Sequence, residues 1–233
     1  MSAGPLAGRV VLIAGATSAS GAAVARALTS AGAAVVAVGT RSDALEALRT
    51  SVPGVTTHTC DLSDHGAVVS LAAAIHDSVG PIDGLVHLVG GWRGGGGLAG
   101  QSDEDWDFFD RGFRTLRNTT RVFDDDLVVS AAGRLAIVSS TAVDSPTAGG
   151  ANYAAAKAAA DAWVRAVAQG FRKRAPQAAA AIFVVRALDG LEERLGDEVV
   201  RLWSAAPADV NGARLPISPS AQPPAAPLPR MNQ

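Results

Sequence analysis

Several residue types are scarce in this sequence, and their scarcity argues against several classes of protein. The single cysteine, Cys60, cannot form a disulfide within the chain, which suits a reducing compartment such as the cytoplasm. The four histidines lack the spacing of metal ligands, so we expect no metal site. A net charge of −2 provides no broad basic surface for nucleic acid, and no apolar run is long enough to span a membrane.

Apolar residues are plentiful and make up 48% of the 233 residues, enough for the core of one α/β domain. Short β-branched runs alternate with alanine-rich helical segments along the chain. The predicted strands are Val10–Ala14, Ala34–Gly39, Val55–Cys60, Ile82–Val89, Arg134–Ser139, Ala179–Val185 and Gly212–Ile217. The predicted helices are Gly21–Ala31, Asp43–Ser51, Asp64–Ser78, Asp103–Ser130, Asn152–Arg174 and Leu191–Ser204. Near-continuous apolar strands separated by helices predict a doubly wound α/β fold, a single parallel sheet with helices on both faces.

Two segments interrupt this alternation. The segment Gly90–Gly100 is rich in glycine and follows the fourth strand, so we expect a mobile loop there. It leads to Ser102, whose position before a run of acidic residues predicts the cap of the next helix. Six prolines from Pro216 onward predict an extended tail over 218–233, which leaves 1–217 as the folded domain.

A turn that begins at Gly15 and ends at Gly21 follows the first predicted strand and opens the first helix. Glycine lets the backbone turn tightly and approach a pyrophosphate, and the start of a helix favours an anion. A glycine turn after a strand is often no more than a turn. The motif alone therefore leaves nucleotide binding open.

The most informative motif is the pair Tyr153 and Lys157. Residues four apart share a face of a helix, which brings the phenol and the ammonium together. A phenol ordinarily loses its proton near about pH 10, and a neighbouring cation favours the phenolate. A lysine four residues after the sole tyrosine arises by chance in about one chain in a hundred of this composition. Ser140, 13 residues before Tyr153, ends the fifth strand at the edge where ligands of open α/β sheets bind.

Together, this turn, Ser140, Tyr153 and Lys157 resemble the short-chain dehydrogenase/reductase family. The resemblance implies a Rossmann fold that binds NAD or NADP, an oxidoreductase acting on a carbonyl compound or secondary alcohol, and assembly as a dimer or tetramer. It implies that Ser140 binds the substrate oxygen, that Tyr153 exchanges its proton and that Lys157 holds the nicotinamide ribose. It also assigns cofactor contacts to Gly15, Thr17, Ser18, Ser20, Gly21, Arg41, Asp61, Leu62, Gly90, Tyr153 and Lys157.

The end of the second strand distinguishes NADP from NAD. An acidic residue there accepts from the 2′-hydroxyl of NAD and repels the 2′-phosphate of NADP. This chain has Gly39, and Arg41 can bind a phosphate through two donors at once. We therefore expect NADP, with NAD as the second choice; an ordinary solvated arginine is the alternative. Asp61 either binds the adenine, as the resemblance implies, or only forms a turn.

The chain departs from the family pattern at several positions. Ala19 replaces the middle glycine of the turn, and Gly112 stands where the family has a catalytic asparagine. His87, Leu88 and Val89 replace all but the glycine of the family's Asn-Asn-Ala-Gly segment. These departures leave a second interpretation open. It is a protein of the same fold that binds the cofactor, turns over little or no substrate and serves regulation or assembly.

Overall fold

Seven strands form one parallel sheet in the computed structural model, which describes residues 4–218. The strands are β1 (Val10–Ala14), β2 (Ala34–Gly39), β3 (Thr56–Thr59), β4 (Gly84–His87), β5 (Arg134–Ser140), β6 (Ala179–Val185) and β7 (Arg214–Pro216). Their order across the sheet is β3-β2-β1-β4-β5-β6-β7. The predicted doubly wound fold is confirmed. The predicted tail lies, from residue 219 onward, outside the described residues.

Eight α-helices occur among residues 4–218, and they cover both faces of the sheet. They are α1 (Ala19–Ser30), α2 (Ser42–Ser51), α3 (His65–Ser78), α4 (Asp103–Val122), α5 (Asp124–Val129), α6 (Ala151–Arg174), α7 (Glu192–Arg201) and α8 (Pro207–Val210). One core layer packs against α1, α2 and α7, and the other packs against α3, α4 and α6. None of these helices is both long and apolar enough to cross a membrane.

Side chains of each strand alternate between the two core layers. On β1, Val11 and Ile13 enter the layer with α1, whereas Leu12 and Ala14 enter the layer with α3. The strand β6 is buried along its whole length. A strand covered on both faces needs apolar side chains at every position, which is why these segments are continuous apolar runs in the sequence.

The prediction of one long helix over Asp103–Ser130 is wrong. The chain forms α4 and α5 instead, with the fully buried Phe123 between them. The carboxylate of Asp126 turns inward, accepts from the amide of Ile82 at 3.0 Å and lies 2.8 Å from Nε2 of His76. These distant contacts, and the acidic residues that favour the start of α5, stabilise a break that the apolar periodicity does not show.

The glycine-rich loop after β4 is tied to the start of α6. The amide of Gly95 donates to the carbonyl of Gly149 at 2.7 Å. The side chain of Gln101 donates to the same carbonyl at 3.0 Å and accepts from the amide of Asn152 at 3.0 Å. A Cβ on Gly94 would lie 2.4 Å from that carbonyl oxygen, so glycine allows the close approach. The mobility of the loop stays a prediction, and the hydrogen bonds described connect it to Gly149 and Asn152.

The sheet has its topological switch point between β1 and β4, because β2 and β3 lie to one side and β5, β6 and β7 to the other. Connections that leave in opposite directions open a crevice at the carboxyl ends of the strands. At its floor, Gly15 has a φ of +85°, and a Cβ there would lie 2.8 Å from the amide nitrogen of Val89. Glycine alone accommodates both this backbone conformation and this contact.

We expect Gly15→Ala to destabilise the protein clearly more than Gly54→Ala. Gly54 has a similar φ of +89°, but nothing lies within 4 Å of a Cβ added there. The control therefore introduces backbone strain alone, roughly 1–2 kcal/mol, whereas Gly15→Ala adds the clash with Val89. Chemical denaturation of both variants measures the difference. Equal losses would show that the close approach of the two loops has no energetic consequence.

Candidate functional site

A groove formed by two adjoining cavities runs along the crevice at the switch point. The Tyr153 cavity, about 960 Å³, lies over the ends of β4, β5 and β6. The Arg41 cavity, about 400 Å³, lies over the ends of β1, β2 and β3. Ser18 and residues 88–90 line both cavities. The two cavities are therefore halves of one elongated groove, and Gly90 lies in its middle.

The turn after β1 forms one wall of the groove. Gly15 and Thr17 line the Arg41 cavity, Ser20 lines the Tyr153 cavity and Ser18 lines both. The hydroxyl of Ser18 caps α1 by accepting from the amide of Gly21 at 3.0 Å. Gly21 itself is buried beneath the turn, where a Cβ would lie 2.4 Å from a backbone oxygen. Its place is in the packing of α1 against the turn, and the other predicted residues face the groove.

Arg41 lies at the start of α2, beside the end of β2. Its Nη2 donates to the carbonyl of Thr17 at 2.7 Å, which holds the guanidinium against the turn. Arg41 does not cap α2 with its side chain, so the first amides of that helix lack a side-chain acceptor among the described residues. A Cβ on Gly39 would lie 2.8 Å from Cγ2 of Thr17, so a larger residue there would displace the threonine. This end of the groove therefore has a guanidinium and no carboxylate at the end of β2.

Asp61 forms the turn after β3. Its Oδ1 accepts from the amide and the hydroxyl of Ser63 at 2.9 and 2.7 Å, and these hydrogen bonds lower the pKa of Asp61. Asp61, Leu62 and Cys60 all line the Arg41 cavity. Burial raises the pKa of the Cys60 thiol, which therefore forms an apolar part of the wall. The turn-forming role of Asp61 is thus shown, and Oδ2 has no hydrogen-bond partner among residues 4–218.

Ser140, Tyr153 and Lys157 converge in the Tyr153 cavity. The hydroxyl of Ser140 accepts from the amide of Ala142 at 3.1 Å, which leaves its own proton available to a ligand. The side-chain nitrogen of Lys157 lies 5.8 Å from the centre of the Tyr153 ring. On α4, the ring of Phe109 packs against that of Tyr153 at a centroid distance of 5.8 Å. The structure therefore brings the three predicted reacting side chains together.

Lys157 carries its ammonium group into a largely apolar environment. The Nζ donates to the carbonyl of Val138 at 2.8 Å. Burial lowers the pKa of Lys157 from 10.5 to about 8, and the negative charge of Asp161 opposes this decrease. At neutral pH the side chain therefore stays protonated. It supplies a positive charge one helical turn from Tyr153.

His87 belongs to the segment that differs from the family's Asn-Asn-Ala-Gly, and it lines the same cavity as Lys157. Its Nε2 is 2.8 Å from Oγ1 of Thr115, and burial, together with the charge of Lys157, lowers its pKa to about 3. The imidazole is therefore neutral. Thr115 donates in turn to the carbonyl of Gly112 at 2.7 Å, and a Cβ on Gly112 would meet nothing within 4 Å. Asn118 does not replace the missing asparagine, because its amide donates to carbonyls of the loop after β3.

Sequence reasoning missed two residues beside the site, Asp161 and Arg214. Asp161 is fully buried on α6. Arg214 donates from Nη2 to the carbonyl of Ser140 at 3.1 Å, and its Nε lies 3.2 Å from Oδ2 of Asp161. Asp161 continues the four-residue spacing of Tyr153 and Lys157, so the sequence did contain a signal for it. Arg214 left none, because the pattern of the last strand does not show which side chain reaches back to β5.

A glycine turn at the switch point of a doubly wound sheet, with a serine, a tyrosine and a lysine beside it, defines the class of dinucleotide-dependent oxidoreductases. The groove fits an elongated ligand with phosphate at its centre, because the start of α1 lies where the two cavities meet. The family described as short chain dehydrogenase matches residues 9–181. The chain belongs to this family of nicotinamide-dependent oxidoreductases, and the resemblance seen in the sequence is confirmed.

Two relatives show the extent of the similarity. The chain is 33% identical over 165 residues to 2,3-dihydro-2,3-dihydroxybenzoate dehydrogenase of Bacillus subtilis (strain 168), a match that covers 69% of this chain and 63% of that protein. It is 44% identical over 91 residues to glycine betaine reductase ATRR of Emericella nidulans, which covers 37% of this chain and 7% of that protein. The match therefore spans less than two thirds of either relative.

Solved structures resemble the chain over nearly its whole length. A metagenomic short-chain oxidoreductase in complex with NADP has a TM-score of 0.81 at 25% identity, covering 93% of this chain and 100% of that one. The NADPH-bound short-chain oxidoreductase of Pseudomonas aeruginosa PAO1, described as containing an atypical catalytic center, has a TM-score of 0.81 at 21% identity, covering 94% and 98%. At that identity the second likeness supports the fold alone.

The partly buried ammonium of Lys157 predicts a pH-dependent effect of Lys157→Met on stability. Because folding lowers the pKa of Lys157 to about 8, the unfolded chain binds more protons between that value and 10.5. The cost of burying the lysine is therefore full below pH 8 and disappears as the pH rises through this window. We expect Lys157→Met to stabilise the protein at pH 7 and the gain to shrink towards pH 10, as measured by denaturation at both values.

Lys173→Met is the matched control, because Lys173 is the other lysine of the chain and lies exposed at the end of α6. Its effect on stability should not change over the same pH range. A Lys157→Met effect that is equally constant would mean that the ammonium is well solvated in the folded protein.

Proposed function

We propose that this chain is an NADP-dependent reductase or dehydrogenase that transfers hydride between the nicotinamide and a carbonyl compound or secondary alcohol. The observation that carries the proposal is the convergence of Ser140, Tyr153 and Lys157 in the Tyr153 cavity. Reduction of a carbonyl group needs a hydrogen-bond donor to the oxygen, a proton donor and a nearby positive charge. These three side chains supply one each.

The bound cofactor would supply the hydride, and the protein would supply alignment and the proton. Ser140 donates its hydroxyl to the substrate oxygen. Tyr153 gives its proton to that oxygen during reduction and takes it back during oxidation. Lys157 binds the nicotinamide ribose, and its charge stabilises the phenolate that remains on Tyr153. The groove extends from this cavity past Gly90 to Asp61 and Leu62, where the adenosine half would lie.

The Arg41 cavity supports NADP as the preferred cofactor. Within residues 4–218, Thr17 engages Nη2 of Arg41 and no group engages Nε or Nη1, which could therefore bind a 2′-phosphate. The uncapped start of α2 adds amide donors next to the guanidinium. Gly39 places no carboxylate at the strand end, where one would favour NAD.

A second candidate function rests on Gly112. The space beside it is open, and no side chain stands where the family has its catalytic asparagine. Without that asparagine the chain could bind the cofactor and still turn over little or no substrate. A screen of carbonyl compounds with NADPH and NADH, for the native chain and for Gly112→Asn, separates the two functions. If NADPH binds and neither protein consumes it with any compound, the binding protein replaces the enzyme.

We also propose that the chain assembles as a dimer or tetramer through α4 and α6. Two side-chain contacts hold these helices side by side. Trp163 donates to Thr120 at 2.9 Å and packs edge to face against Phe113. A rigid helix pair suits a symmetric interface, which is the usual kind in homo-oligomers.

We expect Tyr153→Phe to lose at least about a hundredfold in rate and to keep its affinity for NADPH. The substitution removes the proton that the mechanism transfers and keeps the ring that packs against Phe109. The rate is measured on any compound that the screen identifies, and cofactor affinity by the fluorescence of bound NADPH. A variant that still turns over at the native rate would exclude Tyr153 as the acid.

We expect Arg41→Ala to weaken NADPH binding roughly 10- to 100-fold, because charge-assisted hydrogen bonds to the 2′-phosphate are lost. NADH binding should change little. Arg49→Ala is the matched control, since Arg49 lies on α2, the helix that follows Arg41, and is exposed and paired with Glu46. Equal weakening of both cofactors by Arg41→Ala would instead limit the role of Arg41 to its hydrogen bond with Thr17.

A further inference from the structure

A buried carboxylate lies one helical turn beyond Lys157. Asp161 is 0% exposed, and neither carboxylate oxygen has a hydrogen-bond partner among the described residues. Its nearest cation is Arg214, whose Nε lies 3.2 Å from Oδ2. Burying a carboxylate costs free energy that hydrogen bonds normally offset, and here only the charge contact does so. A contribution to folding stability is therefore a poor explanation for this pair.

Arg214 connects this carboxylate to the end of β5. It projects from β7, donates from Nη2 to the carbonyl of Ser140 at 3.1 Å and pairs through Nη1 with Asp144 in the turn that follows β5. One planar guanidinium therefore contacts α6, the last residue of β5 and the next turn. Neither Arg214 nor Asp161 lines the groove, whereas Ser140 and Lys157 do.

We propose that Asp161 and Arg214 are positioning residues for the reaction proposed above, on which this inference rests. Asp161 maintains Lys157 as a cation, and Arg214 holds Asp161 together with the backbone of Ser140. The pair thus acts on Lys157 and Ser140 from outside the groove, without touching substrate or cofactor.

The charged side chains of Asp144, Arg186 and Asp189 line the same cavity as Lys157, but the charge that acts on the pKa of Lys157 is that of Asp161. On α6, Tyr153 lies one turn before Lys157, and Asp161 lies one turn after it with a charge that raises the pKa of Lys157. From β4, His87 contributes no charge, because its pKa is about 3. A small separate cavity lies beside Lys157 and His87, and the side chains with which α4 lines it are apolar. From β7, Arg214 partly neutralises Asp161 and so acts against it.

The two residues should therefore shift the titration of Lys157 in opposite directions. Asp161→Asn removes the negative charge, and the midpoint should fall below its native value of about 8 by roughly 1 pH unit. Arg214→Gln removes the cation that offsets Asp161, and the midpoint should rise. A role limited to packing would not give shifts of opposite sign.

The composition of the chain provides a direct readout, because Lys157 and Lys173 are its two lysines. Lysine labelled with carbon-13 at Cε gives one side-chain NMR signal for each, and Lys173→Arg assigns them. The full chain is titrated without cofactor or substrate, and Lys173 serves as the internal reference. Asp126→Asn is the matched control, since Asp126 is also a buried acid but pairs with His76 on α3. It should leave Lys157 unmoved.

Opposite shifts in Asp161→Asn and Arg214→Gln support the proposal, and an unmoved midpoint or two shifts of the same sign overturn it. If Asp161→Asn does not fold, Arg214→Gln and Arg214→Lys decide. The lysine variant keeps the charge and should stay closer to the native midpoint, so equal midpoints reject the proposal. The readout needs no turnover. An inactive chain therefore leaves the test intact, and an active one with an unmoved Lys157 refutes only the positioning role.

Discussion

All seven strands are parallel, so their carboxyl ends and the groups that follow them share one edge of the sheet. The strand order opens a crevice at this edge between β1 and β4, because the connections after these strands leave in opposite directions. The floor is closed where Gly15 meets the backbone of Val89. The helix α6 then brings Lys157 over the same edge. The fold therefore determines where a ligand binds, and the side chains at the edge determine what happens to it.

The helix α6 places three ionisable side chains at intervals of one turn along a path into the protein. Tyr153 and Lys157 line the groove, and Asp161 is fully buried. Such an arrangement opposes stability, because burial of Lys157 disfavours the charged form on which its proposed role depends. The negative charge of Asp161, deeper in the protein, partly opposes this effect. The apolar core on both faces of the sheet offsets this loss of stability.

Local patterns in the sequence were sufficient for the strands, for most helices and for the pair Tyr153 and Lys157. Each of these depends on neighbours within one or two turns or on strand periodicity. The break at Phe123 was missed, because it depends on a contact between Asp126 and Ile82, 44 positions apart. Arg214 reaches Ser140 over 74 positions, and such a contact leaves no periodic trace. What the sequence could not show was therefore these long-range polar contacts.

Two of the departures from the family pattern, His87 and Gly112, lie on the same side of the groove, and Thr115 connects them by hydrogen bonds. A buried imidazole at position 87 needs a partner, which it finds in the hydroxyl of Thr115, and that hydroxyl donates in turn to the carbonyl of Gly112. These polar groups are thus directed at one another. They are also uncharged, since the pKa of His87 is about 3. The neutral His87 therefore adds no positive charge to that of Lys157, and Asp161 on the same helix opposes the loss of the Lys157 charge.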